Sequence, residues 1–250
     1  MLRDMFTPER EIPAGMGFSL FGPAHLAVLA LLGLLSALVI LWGCHMRPDH
    51  RARLLRGMAV SMVIMEICID LILGITGAFS VGYLPLHLCS VAMFICLYAA
   101  WHPRSDTVGQ LLWSLCFSGG LAALLFPDWT KLPLWHFLSI HSFIYHAMLV
   151  QFSLIAVITG QARPRIGKLW KVGLFLVGIA IPVYWINDQL HTNYMFLNEP
   201  VTGSPLELCA KLPGQWGYLG GYALLVTVVL LMLNLPFSLG ARWLTRKREM

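Results

Sequence analysis

Charge is what this sequence has least of. Only 12% of its 250 residues are Asp, Glu, Lys or Arg, against 58% apolar, whereas soluble domains carry about 25% charged residues. The mean hydropathy is +0.73. So few charges cannot coat a water-facing surface, which excludes a soluble domain and leaves an integral membrane protein. No low-complexity linker and no internal repeat breaks the chain, so residues 1–250 read as one membrane domain. The six cysteines (Cys44, Cys68, Cys89, Cys96, Cys116, Cys209) form no CxxC pair and no zinc-finger spacing. Inside apolar blocks such cysteines read as small buried hydrophobes, with Cys89 the one set apart below. The first apolar block lacks a small-x-small exit and follows a mixed-charge start, so it is a retained span rather than a cleaved signal. Residues 217–239 contain no lysine, which removes a retinal Schiff base.

What is present is seven long apolar blocks. A helix needs about 20 apolar residues to cross the hydrocarbon core. The blocks that qualify are Phe21–Gly43, Gly57–Ala78, Leu84–Trp101, Gly109–Phe126, Leu134–Gly160, Leu169–Ile186 and Gly217–Leu239. The prediction is an all-α, polytopic seven-transmembrane-helix bundle. Pro85 is expected in the first turn of the third span, where its missing N–H costs nothing.

Arginine and lysine set the direction. Arg47, Arg51, Arg53 and Arg56 follow span one, Arg104 follows span three, and Arg163, Arg165, Lys168 and Lys171 follow span five. Arg242, Arg246, Lys247 and Arg248 follow span seven, leaving only Arg3, Arg10, Lys131 and Lys211 for the other side. The positive-inside rule then puts the N-terminus outside and the C-terminus in the cytoplasm. The basic pI is topology and contact with lipid headgroups, not a nucleic-acid patch. The expected partners are membrane lipids and no nucleic acid; nothing in the pattern sets an oligomeric state.

A charged side chain at mid-membrane costs about 2.5–3.5 kcal/mol on insertion scales, so polar residues inside spans mark sites. Glu66 and Asp70 are four apart on one face of span two. His87 and Cys89 come in with span three, roughly 5–8 Å below its outer end, and a regular helix would set them about 200° apart. His141 and His146 lie in span five, roughly 10 Å and 18 Å in. At about 140° apart they cannot share one ion, so no metal site is expected. His25 is expected near the interface. The segment after span six holds Asn187, Asp188, Asn193, Tyr194 and Asn198 between aromatics and prolines. Its length suits an ordered functional loop, and residues 187–213 are expected to roof an outward-facing polar cavity.

Four stretches also carry a resemblance. They are LPLHLCS at 84–90, FIYHAMLV around His146, TNYMFLNEPVTGSPLELC at 192–209, and GQWGYLGGYALL at the start of span seven. In this order, over roughly residues 20–238, the chain resembles the YwaF-like family of bacterial integral membrane proteins. That family is similar to a eukaryotic transmembrane acyltransferase that loads polyunsaturated acyl chains onto ether phospholipids. The resemblance implies a multi-pass protein of the bacterial inner membrane, Cys89 as nucleophile and His146 as its histidine, with His141 as the alternative. Depth along the spans favours His141, and motif position favours His146. The chemistry is a thioester relay in which Cys89 attacks a lipid ester while a histidine moves protons. It needs no cofactor. Backbone N–H groups at the start of span three would meet the oxyanion.

Two other classes compete. A small-solute transporter or ligand-binding protein would use Glu66 and Asp70 as proton or cation sites, with His87, Asn187, Asp188, Asn193, Tyr194 and Asn198 around the solute; the chain lacks the inverted repeat and paired broken helices common in transporters. A seven-span zinc hydrolase of the alkaline ceramidase type would carry a histidine pair in span seven, which is missing.

Overall fold

Prolines and short polar residues mark where the helices begin. A computed structural model describes residues 5–103 and 105–249, with side chains of the last helix described as far as residue 237. Its helices are α1 (Pro23–His45), α2 (Pro48–Ile75), α3 (Leu88–Trp101), α4 (Asp106–Leu125), α5 (Phe137–Ile158), α6 (Leu169–Leu190) and α7 (Gly214–Glu249). Pro23 and Pro48 occupy first-turn positions, where the absent N–H has no partner to lose. The Ser105 hydroxyl accepts from Val108 N–H at 3.4 Å to cap α4. His136 Nδ1 accepts from Leu138 N–H at 3.3 Å to cap α5.

All seven helices are long and apolar enough to cross a membrane, α3 together with the 3-10 turn Val81–Tyr83 before it. Among the described residues there is no strand, so the fold is the all-α seven-helix bundle expected. The described basic clusters after α1 and α5 share one end of this up-down bundle, here the basic end. Arg3 and Arg104 lie outside the described residues, as do the side chains of Arg242, Arg246, Lys247 and Arg248.

α4 and α5 are the most enclosed helices, and α1 and α6 the least. Leu34, Trp42, Leu174 and Trp185 face outward. Lipid is as apolar as leucine, so the bundle coheres by close packing and polar contacts rather than by escape from water. Gly120 shows how tight α4 and α5 sit: a Cβ there would lie 3.0 Å from the His146 carbonyl oxygen. Between Leu112 and Phe117, α4 loosens into a π-helical turn, a feature frequent beside functional positions.

Several boundaries differ from the sequence reading. α2 starts at Pro48, so Arg51, Arg53 and Arg56 ride on its first turns instead of a loop. α3 starts only at Leu88: Pro85 sits in a tight turn closed by Leu86 N–H to Leu84 C=O at 2.7 Å, and His87 is the N-cap. Proline fixes φ but does not by itself begin a helix. α6 continues to Leu190, so Asn187 and Asp188 belong to a helix and the roofing segment starts at His191. His25, in the first turn of α1, is fully buried. Its Nδ1 accepts from Phe21 N–H and its Nε2 faces the Leu124 carbonyl at 3.0 Å, so both nitrogens are occupied inside the bundle.

Candidate functional site

Two segments cover the end opposite the basic clusters. Residues 5–18 lie along the loop before α5, tied by Phe137 N–H to Met5 C=O at 3.1 Å and Phe18 N–H to Thr130 C=O at 2.9 Å. Residues 191–213 form a strap. Asn187, fully buried in the last turn of α6, holds it: its Oδ1 accepts from Tyr194 N–H at 2.8 Å and its Nδ2 donates to Tyr194 C=O at 3.0 Å. Asn193 braces the strap internally, accepting from Asn198 N–H at 3.0 Å and Glu199 N–H at 3.2 Å. Asn198 Nδ2 donates to Thr192 C=O at 3.3 Å. Asp188 is exposed and its carboxylate accepts from Gln189 at 3.1 Å. These four residues fasten the strap or face outward and do not join the cluster below. Tyr194 is fully buried, and its hydroxyl donates to the Val81 carbonyl.

Beneath the strap, α2, α3 and α5 bring polar groups together. Ser90 Oγ donates to Glu66 Oε1 at 3.0 Å. Glu66 Oε2 stands 3.9 Å from His141 Nε2. The Tyr145 hydroxyl donates to the Cys89 carbonyl at 3.1 Å. The Tyr145 ring neighbours both histidines of α5, centroids 5.3 Å from His141 and 5.6 Å from His146. Trp129 stacks on His146 at 5.5 Å. The Glu66 and Asp128 carboxylates reach Cys89 electrostatically. Asp70 is close enough to act on Glu66 in the same way but makes no bond to the cluster.

Counted from the basic ends of α3 and α5 instead of the strap ends, Cys89 and His146 stand equally far along their helices. From Cys89 to Trp101 and from His146 to Ile158 the two helices run equal lengths, about 18 Å at 1.5 Å per residue. Both lower ends line one small crevice, with Ala99 and His102 facing Ala156 and Gln161. Geometry therefore no longer favours His141 over His146. The expected 200° opposition of His87 and Cys89 is lost as well, because His87 has extended backbone (φ −69°, ψ 152°) outside the helix.

Hydrogen bonding fixes what each imidazole can do. His146 Nδ1 lies 2.7 Å from the Ser142 carbonyl oxygen. A carbonyl only accepts, so this nitrogen carries the proton and Nε2 is left as the basic lone pair. His141 Nε2 and Trp129 Nε1 are buried with no hydrogen-bond partner among the described residues. Native interiors satisfy nearly all such atoms, so these two stand out as donors or acceptors that the bundle itself leaves unused. Among the described residues no three His, Cys, Asp or Glu side chains gather as metal ligands.

A cavity of about 930 Å³ opens at the strap end, lined by Glu9, Arg10, Phe18, Tyr83, Thr130 and Lys131 among others. Tyr83 donates to Glu9 Oε2 at 3.2 Å and lies within electrostatic reach of Asp128. Asp128 thus links the cavity wall to Cys89. Sequence reasoning missed Ser90, Tyr145, Asp128 and Trp129. The first two were inside the quoted motifs, one position from Cys89 and from His146.

The model of one transmembrane family, TMEM164, matches residues 20–234, the stretch that contains every residue of this cluster. No curated protein and no solved structure matches the chain.

Proposed function

The chain belongs to the TMEM164 family, and from that premise we propose that this multi-pass membrane protein is a lipid acyltransferase with Cys89 as nucleophile and His146 as base. The observation that carries the reading is the His146 tautomer: Nδ1–H is held by Ser142, which leaves Nε2 as the lone pair, and the preceding residue, Tyr145, bonds the Cys89 carbonyl. An imidazole so oriented by its far nitrogen is the arrangement that activates a thiol.

On this reading His146 Nε2 takes the Cys89 thiol proton, and Sγ attacks the carbonyl carbon of a donor lipid ester. The tetrahedral intermediate collapses, the acyl–oxygen bond breaks, and the leaving alkoxide takes the proton back from His146. The acyl group is now a thioester on Cys89. The acceptor hydroxyl gives its proton to His146 and attacks the thioester, releasing Cys89. The amides of Leu88 and Cys89, in the first turn of α3, are without helical partners and suit the oxyanion. The apolar residues packed around Cys89 limit the water that would otherwise hydrolyse the thioester. The resemblance to YwaF-like proteins adds a bacterial inner membrane, with the strap end outside by the distribution of basic residues.

The test is labelling of purified protein with a lipid-like thiol electrophile, located by mass spectrometry. Cys89 is expected to label selectively, and His146→Gln to slow labelling while His141→Gln leaves it within about tenfold. Labelling of Cys89 no faster than Cys68 or Cys96 sinks the reading. A second reading, a solute-binding or transport protein working through Glu66 and Asp70, rests on the unpartnered His141 Nε2 beside Glu66. It requires that Cys89→Ala retain full function while Glu66→Gln does not.

A further inference from the structure

The proposed relay leaves His87 unused, and its surroundings are unusual. The strap reaches it through two consecutive residues in left-handed backbone, Met195 (φ 56°) and Phe196 (φ 54°). Residues with a Cβ rarely adopt that conformation, and it persists only where surroundings enforce it. Here the enforcement is explicit. The Tyr222 hydroxyl donates to Met195 C=O at 3.1 Å, the Tyr218 hydroxyl donates to Phe196 C=O at 2.6 Å, and Asn187 grips both sides of Tyr194. The result is that Met195 N–H points at His87 Nδ1, 3.4 Å away, with the ring flanked by Tyr194 at 5.2 Å and Phe196 at 5.6 Å.

A ring nitrogen that accepts an N–H is unprotonated, so neutral His87 carries its proton on Nε2. Among the described residues no hydrogen bond forms at that Nε2, and His87 is only part-buried. His146, within electrostatic reach of His87, has the opposite tautomer. One imidazole presents a lone pair and the other an N–H, and Cys89 follows His87 by two residues at the start of α3.

We propose that His87 is the side-chain oxyanion donor of the acyl transfer, and that the strap sets its tautomer through Met195 N–H. This rests on the Cys89–His146 reading. When Sγ bonds to the carbonyl carbon, the C=O π pair moves onto oxygen, and His87 Nε2–H hydrogen-bonds to that oxygen without giving up its proton. The pair returns when the acyl–oxygen bond breaks. His87 keeps one protonation state throughout, while His146 cycles.

The test separates two reactions of one thiol. Alkylation of Cys89 by a long-chain chloroacetamide passes through no oxyanion; acylation by a long-chain nitrophenyl ester does. His87→Phe keeps a ring between Tyr194 and Phe196 but has no donor. It should slow acylation about 10²–10³-fold and leave alkylation unchanged, and His87→Gln, which restores an N–H, should recover acylation to within about tenfold of the parent. Equal loss of both reactions in the phenylalanine variant, or no loss of acylation, overturns the proposal. A second readout needs no variant: the ¹⁵N shifts of labelled histidine should show His87 protonated at Nε2 and His146 at Nδ1. His87 protonated at Nδ1 also overturns it. If the unaltered protein alkylates at Cys89 but never acylates, the acyltransferase reading falls on its own account.

Discussion

Two polar groups lie inside this bundle, and they differ in how their hydrogen bonds close. Toward the basic end, Gln110, Ser114 and Asn234 join α4 to α7, each fully buried. Gln110 Nε2 donates to Ser114 Oγ at 3.0 Å and to Asn234 Oδ1 at 2.8 Å, and Gln110 Oε1 accepts from Arg165 N–H at 2.7 Å. Asn234 Nδ2 donates to the Leu230 carbonyl at 2.8 Å. Each side chain of that knot is hydrogen-bonded, and among the described residues none of them keeps a buried atom without a partner. Toward the strap end, Glu66, Cys89, Ser90, His141 and His146 have bonds that stop short: among the described residues His141 Nε2 has no hydrogen-bond partner, and the His146 ring bonds only through Nδ1, to Ser142. Polarity at membrane depth is expensive in both places. A closed set of bonds serves to hold helices together, and an open set is what a substrate would need, as the proposed function requires.

The comparison can be broken in four ways, from the largest effect down. Cys89→Ala should abolish lipid acyl turnover, by about 10³-fold or more, while the thermal unfolding midpoint in detergent stays put; the thiol is only partly buried and its carbonyl, not its sulfur, holds Tyr145. Asn234→Leu should do the reverse. It strands donors and acceptors of Gln110 and Ser114, costs roughly 1–3 kcal/mol per orphaned group, and lowers the midpoint, with turnover per folded molecule kept. If turnover falls in step with Cys89→Ala, the knot is not merely a fastening. His141→Phe should change the midpoint little, because a nitrogen without a partner leaves none behind when removed; a loss as large as that of Asn234→Leu would show that Glu66 does bind His141 firmly. The smallest effect belongs to Asp106→Asn, which removes the Lys168 ion pair at the exposed basic end. Exposed pairs contribute little, so neither midpoint nor turnover should change measurably.

The fold was legible because insertion is decided locally. Each block of about 20 residues reveals itself by its own composition, and all seven were located within a few residues of a spanning helix, apart from the early start of α2. The polar cluster was legible in part. Cys89, His146, His141 and Glu66 stood out as polar residues in apolar surroundings; in the structure Glu66 bonds Ser90 and stands 3.9 Å from His141, and Tyr145, beside His146, bonds the Cys89 carbonyl. Asn187, Asn193 and Asn198 stood out for the same reason but serve the strap, since composition cannot tell a group bonded by its own loop from one facing a cavity. Tyr145 and Trp129 were passed over because aromatic residues in a span are unremarkable until a partner is seen.

The sequence by itself determined how many times the chain crosses the membrane and which positions carry polarity, because both follow from short-range composition. Only the tertiary structure decided that α3 begins at Leu88, that Tyr145 of α5 bonds the Cys89 carbonyl, and that two histidines hold opposite tautomers. The physical reason is angular and long-range. One residue of shift turns a helix by about 100° and moves it about 1.5 Å, and a tautomer is set by whichever group lies across the gap, here Ser142 one turn back in the same helix and Met195 from a strap 108 residues away.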